Sequence, residues 1–521
     1  MASRDEQESA RYTAVRLLLS QSAAYPDRPT SVQIIETHIS CVFLTDTLVY
    51  KLKKPVHFEF VDFSTLAARH AACLAEVRLN RRLAPDVYLG VLPITEADKG
   101  TLALNGAGRP VEWVVEMRRL PSERTLEVLL RAGTSTVGDM ESLALLLGNF
   151  YAQAQPVPIE EAAYRQEIER HVRANRADLT AVAPPEDLPD VRRAHAAQLQ
   201  FLLLQPEAFD ARVRARRVID GHGDLRPEHI CLTEPPVIFD CLEFDSQLRR
   251  VDVADELSFL TMECRRLGAA DLGASLREAC LARCGDDPPA ELLAFYESYR
   301  ACVRAKVAVL RARQLSDAQR SVAWSEAAEY LRLAVAAARE FAGPLLLVVG
   351  GLMGSGKTTL AAALADQLGC EALHTDAIRR ELFGASPEAA EFDAGVYTPE
   401  NRQRVYRELF DRSVALLRGS ASVVIDGTFL AADTLRSAIA AADAAHATRL
   451  VIRCRCPDTT ARGRIAARQA VGKSLSEARP ELFDRQRAEA QDIPPDVPHI
   501  LIDTTREITE QVAAVIERLR R

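Results

Sequence analysis

A chain of 521 residues with 48% hydrophobic and 26% charged side chains has room for about two to four globular domains and lacks the composition of a disordered protein. Its net charge of −8 and pI near 5.8 exclude the global basic field of a protein that coats nucleic acid or an anionic membrane. Eleven cysteines are scattered without a disulfide or zinc spacing, no N-terminal secretion signal is visible in MASRDEQESA, and no apolar run approaches the length needed to span a bilayer. A soluble protein with free thiols in the reducing cytoplasm is expected.

In chain order, the first nine residues read as disordered. Residues 32–60 read as a strand pair, VQIIETHISCVFLTDTLVYKL, turning near Thr45-Asp46-Thr47. A helix rich in Ala, Arg and Leu is expected from Phe63 to Leu83. Strands follow near Val87–Ile94 and Val111–Leu120, around a turn at Asn105–Pro110. From Thr125 to Gln205 the pattern is helical, broken by Pro184-Pro185; Val218 to Asp245 reads as turns and short strands; helices then run to Phe341. Gly343-Pro344 marks a boundary. After it, apolar strands alternate with helices (LLLVV, CEALHTD, ASVVIDGT, TRLVIRCRC, HILIDTT), the signature of a parallel α/β sheet with helices on both faces.

The most informative stretch is LLLVVGGLMGSGKTT. A strand runs into Gly351, and Gly356, Lys357 and Thr358 complete a G-x-x-x-x-G-K-[ST] phosphate loop that opens a helix. Gly351, Gly354, Ser355, Gly356 and Thr359 shape a backbone nest for polyphosphate, and the helix N-terminus adds partial positive charge. Lys357 is suited to bridge the β- and γ-phosphates of ATP, and the Thr358 hydroxyl to hold Mg²⁺. Further along, His374-Thr375-Asp376 ends the second strand and Arg379 follows one helical turn later. At the carboxyl rim of such a sheet, Asp376 is placed to accept a proton from an attacking hydroxyl and Arg379 to hold an anionic group. Asp376 also suits a helix N-cap. Asp426, ending VVID, takes the place of a Mg²⁺-supporting carboxylate, and equally that of a turn Asp. Arg462, Arg464 and Arg468 lie on a polar helical stretch suited to a lid over the phosphates; in this arginine-rich chain a solvated face is the competing reading, as it is for Arg485.

The order GSGKT, HTDAIRREL, VVIDGTF and an arginine-rich stretch resembles the zeta-toxin, gluconate-kinase and polynucleotide 5′-kinase group of phosphate-loop kinases over about residues 343–521. That resemblance implies a kinase acting on a hydroxyl, with Asp376 as its activating carboxylate. The near balance of basic and acidic side chains in this region disfavours long nucleic acid as the acceptor.

The first half carries a second constellation. HGDLRPEH places Asp224 in a loop, and Asp240 follows sixteen residues later in the strand-like VIFDCLEFD. Upstream, Lys51 and Lys53 share one face of a strand and Glu76 lies in the next helix. A strand Lys, a helix Glu, a loop Asp and a strand Asp, in that order, form the protein-kinase arrangement. Residues 30–340 resemble the aminoglycoside-phosphotransferase-like kinases, HGDLRPEH matching their H-G-D-L-x-x-x-N loop and VDVADELSFL (Asp252, Asp255) the helix after it. The resemblance implies Asp224 as base, Asp240 as Mg²⁺ ligand, Lys51 (or Lys53) on the α/β-phosphates, Glu76 as its partner, and the strand near Met117 as the adenine hinge. Two departures stand out. His229 occupies the place of the Mg²⁺-binding Asn, and the ETHIS loop has no glycine, leaving Thr37 and Ser40 hydroxyls as substitutes.

The expected fold is therefore an α+β protein-kinase-like domain, 10–341, with a small lobe of about 10–120 and a helical lobe of about 121–341, followed by an α/β P-loop kinase domain, 343–521. The whole resembles bacterial proteins described as bifunctional aminoglycoside phosphotransferase/ATP-binding proteins. Three readings remain: two working ATP- and Mg²⁺-dependent kinase sites for a small hydroxylated acceptor; a C-terminal nucleotide or RNA 5′-hydroxyl kinase with an N-terminal recognition module; or an ATP-dependent, toxin-like regulator.

Overall fold

The computed structural model describes the chain except residues 1–3, 59–60, 98–99, 313–316, 385–397 and 472–479, together with the side chains of 4–7, 311–312, 317–321, 468–471 and 480–482. The backbone packs into two compact units. One comprises Met1–Ile159 and Arg212–Pro289, the other Glu160–Ala211 and Ala290–Arg521.

The first unit is built on a six-stranded antiparallel sheet, in the order Gln33–Glu36, Ser40–Leu44, Leu48–Lys53, Arg109–Arg118, Tyr88–Glu96 and Leu102–Leu104. The apolar residues Cys41, Phe43, Tyr50, Leu52, Ile94 and Val114 alternate onto one face and pack with Val15 and Leu19 of the helix Arg4–Leu19. That helix begins inside the segment expected to be disordered. Its Glu8 carboxylate accepts from the buried Arg69 guanidinium at 2.8 Å, an anchor 61 residues away that local composition does not reveal. The helix Leu66–Asn80, capped by the Thr65 hydroxyl on Ala68 N–H, lays Cys73 and Val77 against Val115, Met117 and Tyr88. The second half of this unit is helical, with Val137–Gln153, Val253–Arg266 and Ala270–Cys284 enclosing Leu143, Leu147, Leu257, Leu260 and Cys280. Between those helices run two short antiparallel pairs, Val218–Asp220 with Arg250–Asp252 and Ile230–Cys231 with Val237–Ile238, which fix the loops carrying Asp224 and Asp240.

The second unit contains a five-stranded, all-parallel sheet in the order Glu371–His374, Val423–Asp426, Leu345–Gly350, Thr448–Arg455, His499–Asp503. Every residue of Leu345–Gly350 is buried, as the central strand of a doubly covered sheet requires. Leu346, Val348, Val423 and Ile425 face one helical layer, and Leu347, Val349, Val424 and Ile452 the other. Each such side chain contributes roughly 2 kcal/mol of apolar burial. Both faces are covered, as expected.

This unit also includes helices that the sequence boundary at 343 sets apart from it: Glu161–Thr180, Leu188–Leu204, Ala290–Ala312 and Asp317–Phe341. Leu188–Leu204 docks on the helix that follows the phosphate loop. Gln200, 4% exposed, donates to Leu368 O at 3.1 Å and accepts from Ser422 Oγ at 3.1 Å, while Ser422 Oγ accepts from Leu345 N–H. At Gly369 the chain takes φ +68°, and a Cβ there would lie 2.9 Å from Ala196 Cα, so only glycine permits this approach. No helix among the described residues is long and apolar enough to cross a membrane. All eleven cysteines are free, and all but Cys284 and Cys456 are buried.

Candidate functional sites

In the second unit the loop after Leu345–Gly350 curls through Gly351, Gly354 and Gly356 at φ +154°, +76° and +84°. A Cβ on Gly354 would lie 2.5 Å from Ala461 O, so the close approach of the helix Asp458–Val471 demands glycine. The helix Lys357–Leu368 starts at the loop with its first N–H groups unsatisfied, next to Lys357, which has no ion-pair partner among the described residues. Thr358 and Thr359 are exposed, and the buried Ser355 hydroxyl has no hydrogen-bond partner.

Asp426 sits at the carboxyl end of the neighbouring strand. His374 lies opposite it in the ladder, with Nδ1 3.2 Å from Asp426 Oδ2. The other oxygen, Oδ1, is buried and unpartnered. Hydrogen bonding to Asp426 raises the His374 pKa, against the opposing effect of burial. A buried carboxylate oxygen without a hydrogen-bond partner is a hard oxygen donor of the kind a divalent cation takes. Asp376 opens the helix Thr375–Phe383 and is paired with Arg379. The segment after Asp426 is tied to the phosphate loop: Gly351 N–H donates to Thr428 O at 3.0 Å, and Gly427 N–H to Val349 O at 3.2 Å.

The arginines separate. Arg462 pairs with Asp484 and covers the Phe483 ring. Arg464 turns toward the loop itself, donating to Thr504 O at 2.7 Å and Thr504 Oγ1 at 3.1 Å, with Nη1 3.5 Å from Gly354 O. Arg485 pairs with Glu489 on its own helix. The side chain of Arg468 lies outside the described residues.

In the first unit, the strand Leu48–Lys53 and the helix Leu66–Asn80 bring Lys51, Lys53 and Glu76 together. Lys51 Nζ lies 2.8 Å from Glu76 Oε1 and 2.6 Å from Asp240 Oδ1. Lys53, fully buried, bonds Glu76 Oε2 and Glu243. Lys51 is thus the lysine that reaches Asp240, which lies not on a strand as expected but in the loop just past Val237–Ile238. Burial alone would depress both ammonium groups, but Asp240 and Glu76 lift Lys51 well above its usual range, and Glu243 with Glu76 lifts Lys53 to about 12. Burial likewise opposes ionisation of Asp240, and Lys51 followed by His229 outweighs it, so the carboxyl stays charged. Asp240 adopts φ +62°, a left-handed conformation that costs an ordinary residue about 1 kcal/mol or more.

Asp224 is clamped by its neighbour Arg226, whose Nε and Nη2 each donate to one carboxylate oxygen at 2.8 Å. His229 Nδ1 lies 2.9 Å from Asp224 O, which leaves Nε2 3.6 Å from Asp240 Oδ2. With both Asp224 oxygens on Arg226 and Asp240 Oδ1 on Lys51, the donors left are one carboxylate oxygen and an imidazole, a poor set for Mg²⁺. Ser40 is buried, and Thr37 Oγ1 accepts from Ser40 N–H within the tight turn, so neither hydroxyl is presented as a phosphate cover. Met117 packs in the sheet core at the expected hinge strand.

Several residues escaped sequence reasoning. Glu256 accepts from His222 N–H at 2.7 Å and Gly223 N–H at 2.6 Å, and Tyr151 OH donates to it, so it holds the Asp224 loop from beneath. It lies beside Asp255, which the motif match drew attention to. Asp252, which the same motif match named, caps Val253–Arg266 through Ala254 N–H and takes both Nε and Nη2 of Arg212, a partner the sequence did not reveal. Glu243, three residues past Asp240, carried no signal beyond its charge.

The chain is 33% identical over 434 residues to the uncharacterized protein Rv2004c of Mycobacterium tuberculosis, an alignment covering 82% of this chain and 84% of that one. The chain belongs to the same family. The uncharacterized protein Mb2027c of Mycobacterium bovis matches to the same extent. Within the family fold, a profile described as AAA domain matches residues 346–493, the part built around the phosphate loop. Among solved structures, a sugar kinase from Janibacter sp. HTCC2649 is 21% identical with TM-score 0.28, covering 34% of this chain and 95% of that one. A gluconokinase from Sinorhizobium meliloti 1021 is 18% identical with TM-score 0.25, covering 34% and 91%. An aminoglycoside 2′-phosphotransferase-IIIa bound to GDP is 15% identical with TM-score 0.37, covering 61% and 98%. The sheets themselves give the fold classes expected: an α+β unit on an antiparallel sheet and an α/β unit on a parallel sheet that carries the phosphate loop.

Proposed function

We propose that the protein is an ATP-dependent phosphotransferase, with its chemistry centred on the P-loop unit and directed at the hydroxyl of a small acceptor. The observation that carries this reading is the gathering, at the carboxyl end of one parallel sheet, of a glycine nest, a Lys357 with no ion-pair partner among the described residues, the orphaned Asp426 oxygen, and Asp376 in the first turn of the helix after the strand Glu371–His374. Gly351, Gly354, Ser355, Gly356 and Thr359 would cradle the phosphates and Lys357 contact their β- and γ-oxygens. Thr358 and Asp426 would hold Mg²⁺, which supplies charge neutralisation across those phosphates when bound. Asp376, released from Arg379, takes the acceptor's hydroxyl proton as the new O–P bond forms and the bond to the β-phosphate oxygen breaks, with ADP leaving. Arg379 then faces the transferred group's charge. Arg462 and Arg468, by the sequence pattern, would flank the phosphates.

The N-terminal unit we read as a second nucleotide site, with Lys51 and Glu76 for the α/β-phosphates, Asp240 and His229 near the metal position, and Asp224 as base. The Arg226 clamp on Asp224 favours an alternative in which this unit binds nucleotide without transferring phosphate. Transfer from γ-labelled ATP to a pool of hydroxylated small molecules tests both. Loss in Asp376→Asn alone assigns the chemistry to the P-loop unit, loss in Asp224→Asn alone assigns it to the N-terminal one, and full transfer in both variants refutes the assignment of either base.

A further inference from the structure

The phosphate loop is held from its carbonyl side by a residue outside any phosphate-binding motif. Thr504 follows the last strand, His499–Asp503, and its N–H donates to Arg455 O at 2.9 Å, continuing the ladder to the neighbouring strand. Its side chain is 4% exposed, and its hydroxyl donates to Ser355 O at 2.6 Å. Arg464 donates to that same hydroxyl oxygen at 3.1 Å and to the Thr504 carbonyl at 2.7 Å. With its oxygen occupied by the guanidinium, the hydroxyl is left to donate, and Ser355 O at 2.6 Å is a much nearer acceptor than Arg455 O at 3.3 Å. The three groups form one polarised chain, from Arg464 through Thr504 to the loop.

The consequence follows from peptide geometry. The peptide joining Ser355 and Gly356 is planar and trans, so its C=O and N–H point opposite ways. Anchoring Ser355 O on Thr504 therefore aims the Gly356 N–H away from Thr504, toward the concave side of the loop, where the N–H groups of the first turn of Lys357–Leu368 also emerge. Gly356 takes φ +84°, a region where the backbone has little intrinsic preference, so its orientation must be imposed from outside. The Arg464 guanidinium also reaches 3.5 Å from Gly354 O, the carbonyl of the preceding peptide.

We propose that Thr504 and Arg464 are positioning residues of the phosphate loop: they set the direction of its N–H donors rather than touch the phosphates. Arg464, which by sequence pattern belongs to a lid closing over the ligand, thereby acts through the loop from behind. This inference rests on the reading of the P-loop as a polyphosphate site.

The test is Mg–ATP titration calorimetry on the full chain. The component of binding that Lys357→Ala removes defines the P-loop site. Thr504→Val, which keeps the shape and deletes the hydroxyl, should weaken that component about tenfold, the scale of one lost hydrogen bond carried into affinity. Thr504→Ser should restore it to within about twofold, because the donor is back. The rise in Tm on adding Mg–ATP should shrink in Thr504→Val and recover in Thr504→Ser, which a purely structural role for the side chain would not produce. Should Thr504→Val fail to fold, Arg464→Met keeps the threonine and removes its polarising donor; it should weaken the same component by roughly threefold or more. A wild-type component left unchanged by Thr504→Val and Arg464→Met overturns the inference alone, as does equal weakness of the valine and serine variants. A wild type with no Lys357-dependent component overturns the polyphosphate reading and the inference with it.

Discussion

Replacing Gln200 with leucine tests whether the helix Leu188–Leu204 is a working part of the P-loop unit. The glutamine is buried and makes two hydrogen bonds, to Leu368 O and from Ser422 Oγ, with Cys370 Sγ 3.8 Å from Nε2. Leucine fills a similar volume but offers neither group. Leu368 O, at the carboxyl end of the phosphate-loop helix, loses a donor in a place closed to water, at about 1–3 kcal/mol. Ser422 keeps its bond from Leu345 N–H but loses an acceptor, at about 1 kcal/mol. Added apolar burial returns less than about 1 kcal/mol. The net loss is about 2–3 kcal/mol, felt at the amino-terminal edge of the sheet, far along the helix from the nucleotide end. With an m-value of about 3 kcal/mol/M, the urea midpoint of this unit should fall by nearly 1 M. Tryptophan fluorescence at Trp324, whose indole N–H donates to Asp187 at 2.7 Å in the same unit, reports it. A midpoint within about 0.2 M of wild type would show that Gln200 does not hold these elements together.

Lys357→Ala should remove P-loop nucleotide binding while leaving the unfolding midpoint close to wild type, since Lys357 has no ion-pair partner among the described residues; calorimetry with parallel urea melts checks both. Asp224→Ala should abolish any N-terminal transfer and leave nucleotide affinity within about threefold, with the Arg226 guanidinium still held by Glu228. His195 and His222 are buried and neutral, with pKa values pushed down to about 4 by desolvation. The unfolded chain takes up those protons at higher pH than the native one, so stability is full above the unfolded pKa near 6.5 and falls as pH drops toward 4. The His195→Asn variant should flatten that limb of a Tm-versus-pH curve. His374 has the opposite sign. Its raised pKa means that the bond to Asp426 stabilises most at low pH and fades as pH rises through the folded pKa, so Mg²⁺ affinity should increase with pH, and His374→Asn should lessen that dependence.

What could be read from the sequence was what chemistry keeps contiguous. A phosphate loop needs its glycines, lysine and threonine within eight residues of one strand, and the apolar strands after it are buried on both faces, so both are visible locally. Lys51, Glu76 and Asp240 were legible because their order along the chain matches a known arrangement, and the structure brings them within contact. Long-range packing was not legible. Gln200 lies 168 and 222 residues from its partners, and Glu8 lies 61 from Arg69, so helix periodicity says nothing about what those side chains meet. Arg464 shows the same limit. Spacing places an arginine on a helix but not which side of the phosphate loop it approaches. Thr37 and Ser40 were polar residues in the right loop, but the Thr37 hydroxyl is spent on the Ser40 backbone and the Ser40 hydroxyl is buried.

The backbone passes between its two compact units three times, near residues 159, 211 and 289. On a ribosome, the helices Glu161–Thr180 and Leu188–Leu204 therefore emerge long before Leu345, the first residue of the sheet on which the second of them docks. Domains that are contiguous in sequence can close as they are made; this unit cannot, and must keep Phe201, Gln200 and Leu199 waiting with their partners unsynthesised. The loop that would bind nucleotide is thus finished only when nearly the whole chain has been translated, so a prematurely terminated product carries helices without a core to shield them.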